Sequence, residues 1–191
     1  MTRVYFIRHA QSDTSIHDGR IRPLTQKGIG DSHLVTRYLS DKNIEIVFSS
    51  PFKRAVDTLA DFAEKNNFEI RLVEDFRERK SDSNMGRRNA QFLPFLERQW
   101  ADFTYTFSDG ECLAEVRERN IAALKEVLVQ YEGKNIAIGT HGTALSTIIN
   151  YYDRTYGFAD FMAMADIMPW VVIISFDGTT CVGIEKIDLF A

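Results

Sequence analysis

The sequence predicts a three-layer α/β/α sandwich with a mostly parallel central sheet, on three observations. Short β-branched or aromatic runs alternate with longer amphipathic stretches, the pattern of strand–helix–strand units. Charged and polar residues fall at the ends of those runs, where open α/β sheets bind their ligands. At 191 residues, 45% hydrophobic and 26% charged, the chain is long enough for one well-buried core. We read it as a single domain, 1–191, with a cap-like insertion around 79–110.

The first run, Val4-Tyr5-Phe6-Ile7, reads as a buried strand that ends in Arg8-His9. A polar loop, 11–22, follows. Pro23-Leu24-Thr25 opens a helix with Thr25 as N-cap and Val35, Tyr38 and Leu39 on its apolar face. Residues 44–48 form a second strand. Ser49-Ser50-Pro51 then reads as an N-cap serine with proline at the first helical position, and Ala55, Leu59, Phe62 and Ala63 face inward along the helix to about 65. Residues 70–73 make a third strand and 74–86 a charged loop. Helices follow at 87–103 and 113–131. A fourth strand, 135–140, ends in His141-Gly142, which opens a helix to about 152. Residues 170–176 and 181–187 form a hairpin around Asp177-Gly178.

Composition narrows the partners. A net charge of −4 argues against a general nucleic-acid surface. The longest apolar stretch, 161–176, is interrupted by Asp166 and Pro169 and is too short to span a membrane. The apolar run before Arg8 is only four residues long, so no secretory signal is read. Cys112 and Cys181 cannot build a disulfide framework and read as reduced thiols of a cytoplasmic protein. No nucleic acid and no membrane are expected as partners, and the expected state is a monomer or homodimer.

Phosphoryl transfer requires neutralised oxygens, an in-line nucleophile and a proton for the leaving oxygen. Arg8 and Arg54 suit the first task, because a guanidinium fork binds phosphate in a bidentate way and stays charged. His9, fixed by a strand, suits the second, and a protonated His141 would add a phosphate ligand. Glu78, after the third strand, reaches the same edge as general acid. No Gly-x4-Gly-Lys-Ser/Thr loop is present, and no arginine stands six positions after Cys112, where position 118 is Glu. A metal held by His9, His141, Glu78 and Asp13 would be repelled by two arginines, so no metal is expected.

Five ordered segments resemble the histidine phosphatase superfamily, the phosphoglycerate mutase-like family. They are Phe6-Ile7-Arg8-His9-Ala10-Gln11-Ser12, Pro23-Leu24-Thr25-Gln26-Lys27-Gly28, Phe48-Ser49-Ser50-Pro51 with Arg54-Ala55 and Thr58, Gly110-Glu111-Cys112 with Val116 and Arg119, and Gly139-Thr140-His141-Gly142. The resemblance implies His9 as the phosphorylated nucleophile and Glu78 as proton donor. It implies Arg8, Arg54 and His141 as phosphate ligands, with Ser15 and Gly142 completing the phosphate-binding set, and no metal or organic cofactor. Ser15 stands where the family usually has asparagine. Phe76-Arg77-Glu78 is similar to the family's Leu-x-Glu, but Arg79-Lys80-Ser81-Asp82-Ser83-Asn84 replace the glycines that usually follow. Glu74 is the competing acid.

The implied activity is phosphomonoester hydrolysis through a phosphohistidine, and the implied partner is a small phosphorylated metabolite. Phosphoglycerate mutase activity and a catalytically weak phosphate-binding regulatory module are the alternatives. The segment after Glu78 reads either as a solvated basic loop and a packing helix or as a substrate-selecting cap. It carries Arg77, Arg79, Lys80, Arg87 and Arg88, then Phe92, Phe95, Trp100, Phe103, Tyr105 and Phe107.

Overall fold

The computed structural model describes residues 1–85 and 89–191; Arg87 and Arg88 of the basic segment lie outside the described residues. Six strands, β1 (Thr2–Arg8), β2 (Ile46–Ser49), β3 (Ile70–Leu72), β4 (Asn135–Thr140), β5 (Trp170–Asp177) and β6 (Thr180–Ile187), form one sheet in the order β3–β2–β4–β1–β5–β6. The first four are mutually parallel; β5 runs antiparallel to β1, and β6 to β5. Register sets Arg8 opposite Thr140 and Ser49 opposite Gly139, so the chain leaves β1, β2 and β4 at one level. This is the expected mixed α/β sandwich.

Two helical layers cover the sheet because successive strand side chains alternate between its faces. On one face Tyr5, Ile7, Val47, Ala137 and Ile173 pack against α1 (Gln26–Leu39) and α2 (Lys53–Lys65) through Val35, Leu39, Leu59 and Phe62. On the other, Val4, Phe6, Ile136, Ile138, Val172 and Ile174 meet α4 (Leu113–Gln130) and α5 (Gly142–Tyr152) through Leu124, Leu128, Leu145 and Ile148. The cap contributes α3 (Phe92–Ala101), whose Phe95 and Leu96 form a separate small core with Met85.

Thr25 caps α1 as expected, its hydroxyl accepting the Gly28 N–H at 3.0 Å. Gly28 is required there, since a Cβ would lie 2.1 Å from the Gln11 carbonyl oxygen. Three local expectations change. The helix after β2 begins at Lys53, not Pro51, and its N-cap is Phe52 with no side-chain cap. Ser50 Oγ still accepts the Phe52 N–H, at 3.2 Å, and its second partner is His141; Phe52 itself is extended, so α2 starts two residues later. The helix expected over 87–103 starts at Phe92 among the described residues. A short helix, α6 (Phe158–Ala163), was read as part of an apolar stretch; six residues are too few to show helical periodicity.

Candidate active site

The backbone after β1 is clamped before any side chain acts. His9 N–H donates to the Thr140 carbonyl at 3.1 Å, continuing the β1–β4 ladder. Ala10 N–H donates to Thr58 Oγ1 at 2.9 Å, and that hydroxyl donates in turn to the Arg54 carbonyl at 2.7 Å. The Ala10 carbonyl then lies 2.7 Å from His9 Nδ1. A carbonyl only accepts, so Nδ1 carries the ring proton and Nε2 is bare. Burial, and after it the Arg54 charge, holds the His9 imidazole well below its ordinary pKa. The ring is neutral at pH 7 with one fixed tautomer, the state a nitrogen nucleophile needs.

His141, the last residue before α5, is fully buried. Its ring lies edge-on to His9, with centroids 5.2 Å apart, and edge-on to Phe52 at the same distance. Nε2 is 2.8 Å from Ser50 Oγ. A hydroxyl can accept twice, so this contact fits either tautomer; where the Ser50 hydrogen goes to Nε2, the ring proton sits on Nδ1. Nδ1 is buried and has no hydrogen-bond partner among the described residues, and in that second tautomer it can donate to an anion. Burial first, then the Arg54 and His9 charges, push His141 well below its ordinary pKa as well, so it is neutral in the fold and not the protonated ligand expected from the sequence.

Arg54 supplies the positive charge. It is 5% exposed, donates from Nη1 to the Gly19 carbonyl at 2.6 Å and lies 5.1 Å above the Phe52 ring. Burial lowers its pKa to about 10, so it remains a cation at neutral pH. Arg22, held by the Ile16 and His17 carbonyls, adds to the field acting on both His9 and Arg54.

Arg8 is placed differently from the expectation of two groups side by side. Alternation along β1 puts Arg8 on the α4–α5 face, opposite to His9. Its guanidinium passes Gly142, where a Cβ would lie 3.4 Å from Nε. It donates to the carbonyls of Met164, Ala165 and Ile167 at 2.5, 2.9 and 2.9 Å. It thus anchors the turn after α6, while its charge still acts on His9 and His141. Gly142 is the first residue of α5.

Glu78 reaches the same edge. Its carboxylate accepts the N–H groups of Thr143, Ala144 and Arg79 at 3.0, 3.1 and 2.8 Å, and so sits on the N-terminus of α5 beside His141. Arg119 carries the loop beneath it, donating to the carbonyls of Asp75, Arg77 and Glu78. Glu111 accepts from both Arg119 and Arg77 and from the Lys80 N–H. Glu74 lies outside the cluster, 53% exposed at its side chain and paired with Arg20. Ser15 is not brought in either: it is exposed, and its N–H and hydroxyl both donate to Asp13.

The structure therefore gathers His9, Arg54, His141, Gly142 and Glu78 at one edge, with the Arg8 guanidinium turned to the carbonyls after α6. Sequence reasoning assigned no task to Phe52, nor to Thr58, Glu111 and Arg119. The last three stand inside the quoted motifs, which was their signal; Phe52 had none.

A family model described as histidine phosphatase superfamily (branch 1) matches residues 4–176. The chain is 27% identical over 153 residues to the uncharacterized phosphatase PhoE of Bacillus subtilis, covering 78% of this chain and 76% of PhoE. It is 29% identical over 163 residues to a probable phosphoglycerate mutase, GpmB, of Serratia proteamaculans, covering 78% and 74%. In fold it is similar to a phosphoserine phosphatase of Entamoeba histolytica in complex with 3-phosphoglyceric acid. That likeness has a TM-score of 0.76 at 21% identity and covers all of both chains.

Proposed function

We propose that this chain, which belongs to the histidine phosphatase superfamily, is an enzyme that hydrolyses small phosphate monoesters through a phosphohistidine on His9. The observation that carries the reading is the His9 ring: neutral, buried, its Nδ1–H committed to Ala10 and its Nε2 bare beside Arg54 and His141.

In this reading the ester's phosphoryl oxygens take the Nδ1–H of His141 and the charge of Arg54, while Arg8 adds positive field. Nε2 of His9 forms the N–P bond as the P–O bond to the alcohol breaks. A protonated Glu78 gives its proton to the departing oxygen. In the second half, the Glu78 carboxylate takes a proton from water as that water's oxygen bonds phosphorus and the N–P bond breaks. Inorganic phosphate leaves, and both residues return to their starting states. Nothing in this scheme calls for a metal or an organic cofactor. The two free cysteines fit the cytoplasmic location included in the proposal.

The test is burst kinetics and trapping with p-nitrophenyl phosphate. An acid-labile, base-stable phosphoryl group on His9 is expected, and its absence from a turning-over enzyme overturns the reading. Likeness to a probable mutase supports one further arm. Incubation of 3-phosphoglycerate with and without its bisphosphate should release inorganic phosphate, not 2-phosphoglycerate.

A further inference from the structure

Hydrogen bonds alone do not fix the two groups proposed to hold phosphate. Among the described residues the Arg54 guanidinium makes one, to the Gly19 carbonyl at 2.6 Å, and no carboxylate oxygen lies within 4.0 Å of it. The buried His141 ring likewise makes one among the described residues, with Ser50 Oγ at 2.8 Å. A single bond leaves either group able to swing about it. Phe52 touches both. Arg54 Cζ lies over its ring face, 5.1 Å from the centroid, and the His141 ring centroid is 5.2 Å away at an interplanar angle of 67°. Phe52 is itself clamped. Its backbone is extended, and its N–H donates to the same Ser50 hydroxyl that meets His141. The loop before α1 closes over it. Lys53 N–H donates to the Arg20 carbonyl at 2.8 Å, the Arg20 guanidinium lies 5.6 Å from the ring centroid, and a Cβ on Gly19 would lie 3.8 Å from Phe52 Cε2.

A buried arginine can be oriented by an acid or by a ring, and the two differ in what they leave for a ligand. A carboxylate fixes a guanidinium through paired bonds, as Glu111 fixes Arg119, but it neutralises the charge and occupies donors that a phosphate needs. A phenyl face attracts the cation through its quadrupole and takes up no N–H. It orients Arg54 and leaves the charge and the remaining donors for an anion. The same ring, packed against the His141 imidazole, restrains the one motion that the Ser50 bond leaves open. Resting on the phosphatase reading above, we infer that Phe52 is a positioning residue, whose aromatic face sets Arg54 and His141 for the phosphoryl group. It acts through those two side chains, so its effect depends on the ring and not on the space the ring fills.

The test compares Phe52→Tyr, which keeps the face, with Phe52→Leu, which fills similar volume without one. Phe52→Met is a second ring-free variant for the case that the leucine variant does not fold. Affinity for inorganic phosphate, by calorimetry, and kcat/KM for p-nitrophenyl phosphate are measured on each. Phe52→Leu should weaken phosphate binding by about tenfold and lower kcat/KM by roughly 10–10²-fold, the effect of one desolvated cation–ring contact and the shifted donors that follow its loss. Phe52→Tyr should recover most of both. In an Arg54→Lys background the planar stacking is already gone, so the further effect of Phe52→Leu should shrink to about threefold or less. Equal phosphate affinity in the leucine and tyrosine variants overturns the inference, and so does a Phe52→Leu effect of the same size in both backgrounds. A wild-type chain that binds phosphate with this ring dependence but forms no phosphohistidine overturns the phosphatase reading alone. A wild-type chain that does not bind phosphate overturns both.

Discussion

The strand-end cage and the cap-side loop solve the same positioning problem with different bonds. In the cage, His9, Ser50 and His141 follow directly on paired strands, and backbone bonds from Thr140, Gly139 and Ala10 hold them. On the cap side, Glu78 leaves a three-residue strand and a 3-10 turn. Side chains hold it there: Arg119 and Glu111 beneath, and further out Asp82 on Ser108 and Lys80 on Asp109. A ladder distributes its restraint over many peptide groups, whereas an ion-pair hub concentrates it in one or two residues. The cage suits invariant chemistry; the cap side can be altered one residue at a time.

The difference can be broken most sharply at the nucleophile. His9→Ala should lower p-nitrophenyl phosphate turnover by about 10⁴-fold or more with the thermal melt nearly unchanged, because the cage backbone does not depend on that ring. Residual activity within tenfold of wild type would remove His9 from its role. Glu78→Gln comes next. Hydrolysis of alkyl phosphates should fall by roughly 10²–10³-fold, and that of p-nitrophenyl phosphate far less, since a good leaving group needs no proton. Equal losses would transfer the acid elsewhere.

Glu111→Ala tests the hub. The pair with Arg119 is about seven-eighths buried, so its loss should cost about 3 kcal/mol in urea denaturation and slow alkyl phosphates by misplacing Glu78. Its surface counterpart, Lys80→Ala, breaks a pair about half exposed on both sides and should change stability by no more than about 0.5 kcal/mol.

Acid should separate the two regions in a graded way. His9 and His141 titrate near pH 6.5 in the unfolded chain and well below it in the fold. Between those limits the unfolded chain binds more protons, so stability falls as pH drops through 6.5. The slope reaches up to about 1.4 kcal/mol per pH unit for each ring. Burial opposes ionisation of Glu111, but the Arg119 bonds prevail and hold its carboxyl below its ordinary 4.5. The stability it contributes is present above that value and is lost only at lower pH. Denaturant midpoints from pH 7.5 to 4 check this; a curve flat from 7.5 to 5 would mean that the cage histidines are not neutral in the fold.

The layers and the edge were legible in the order of the residues. Apolar runs located the strands, their period-two alternation assigned faces, and the residues following each run had to meet where parallel strands end. That brought His9, Arg54 and His141 together, with Glu78 within reach, whereas the neutral state of the two imidazoles comes first from their burial. Only the tertiary structure decided what each side chain touches. The Ser50 hydroxyl faces His141, 91 positions away, and delays the helix it was expected to cap. Arg8 turns from His9 to carbonyls more than 150 positions along the chain. Ser15 folds back on Asp13, and of three neighbouring cations only Arg79 is buried unpaired. Periodicity reports the face a residue occupies, because that is set by its own backbone. Partners arrive from segments that closure of the sheet brings together, and local pattern carries no information about them.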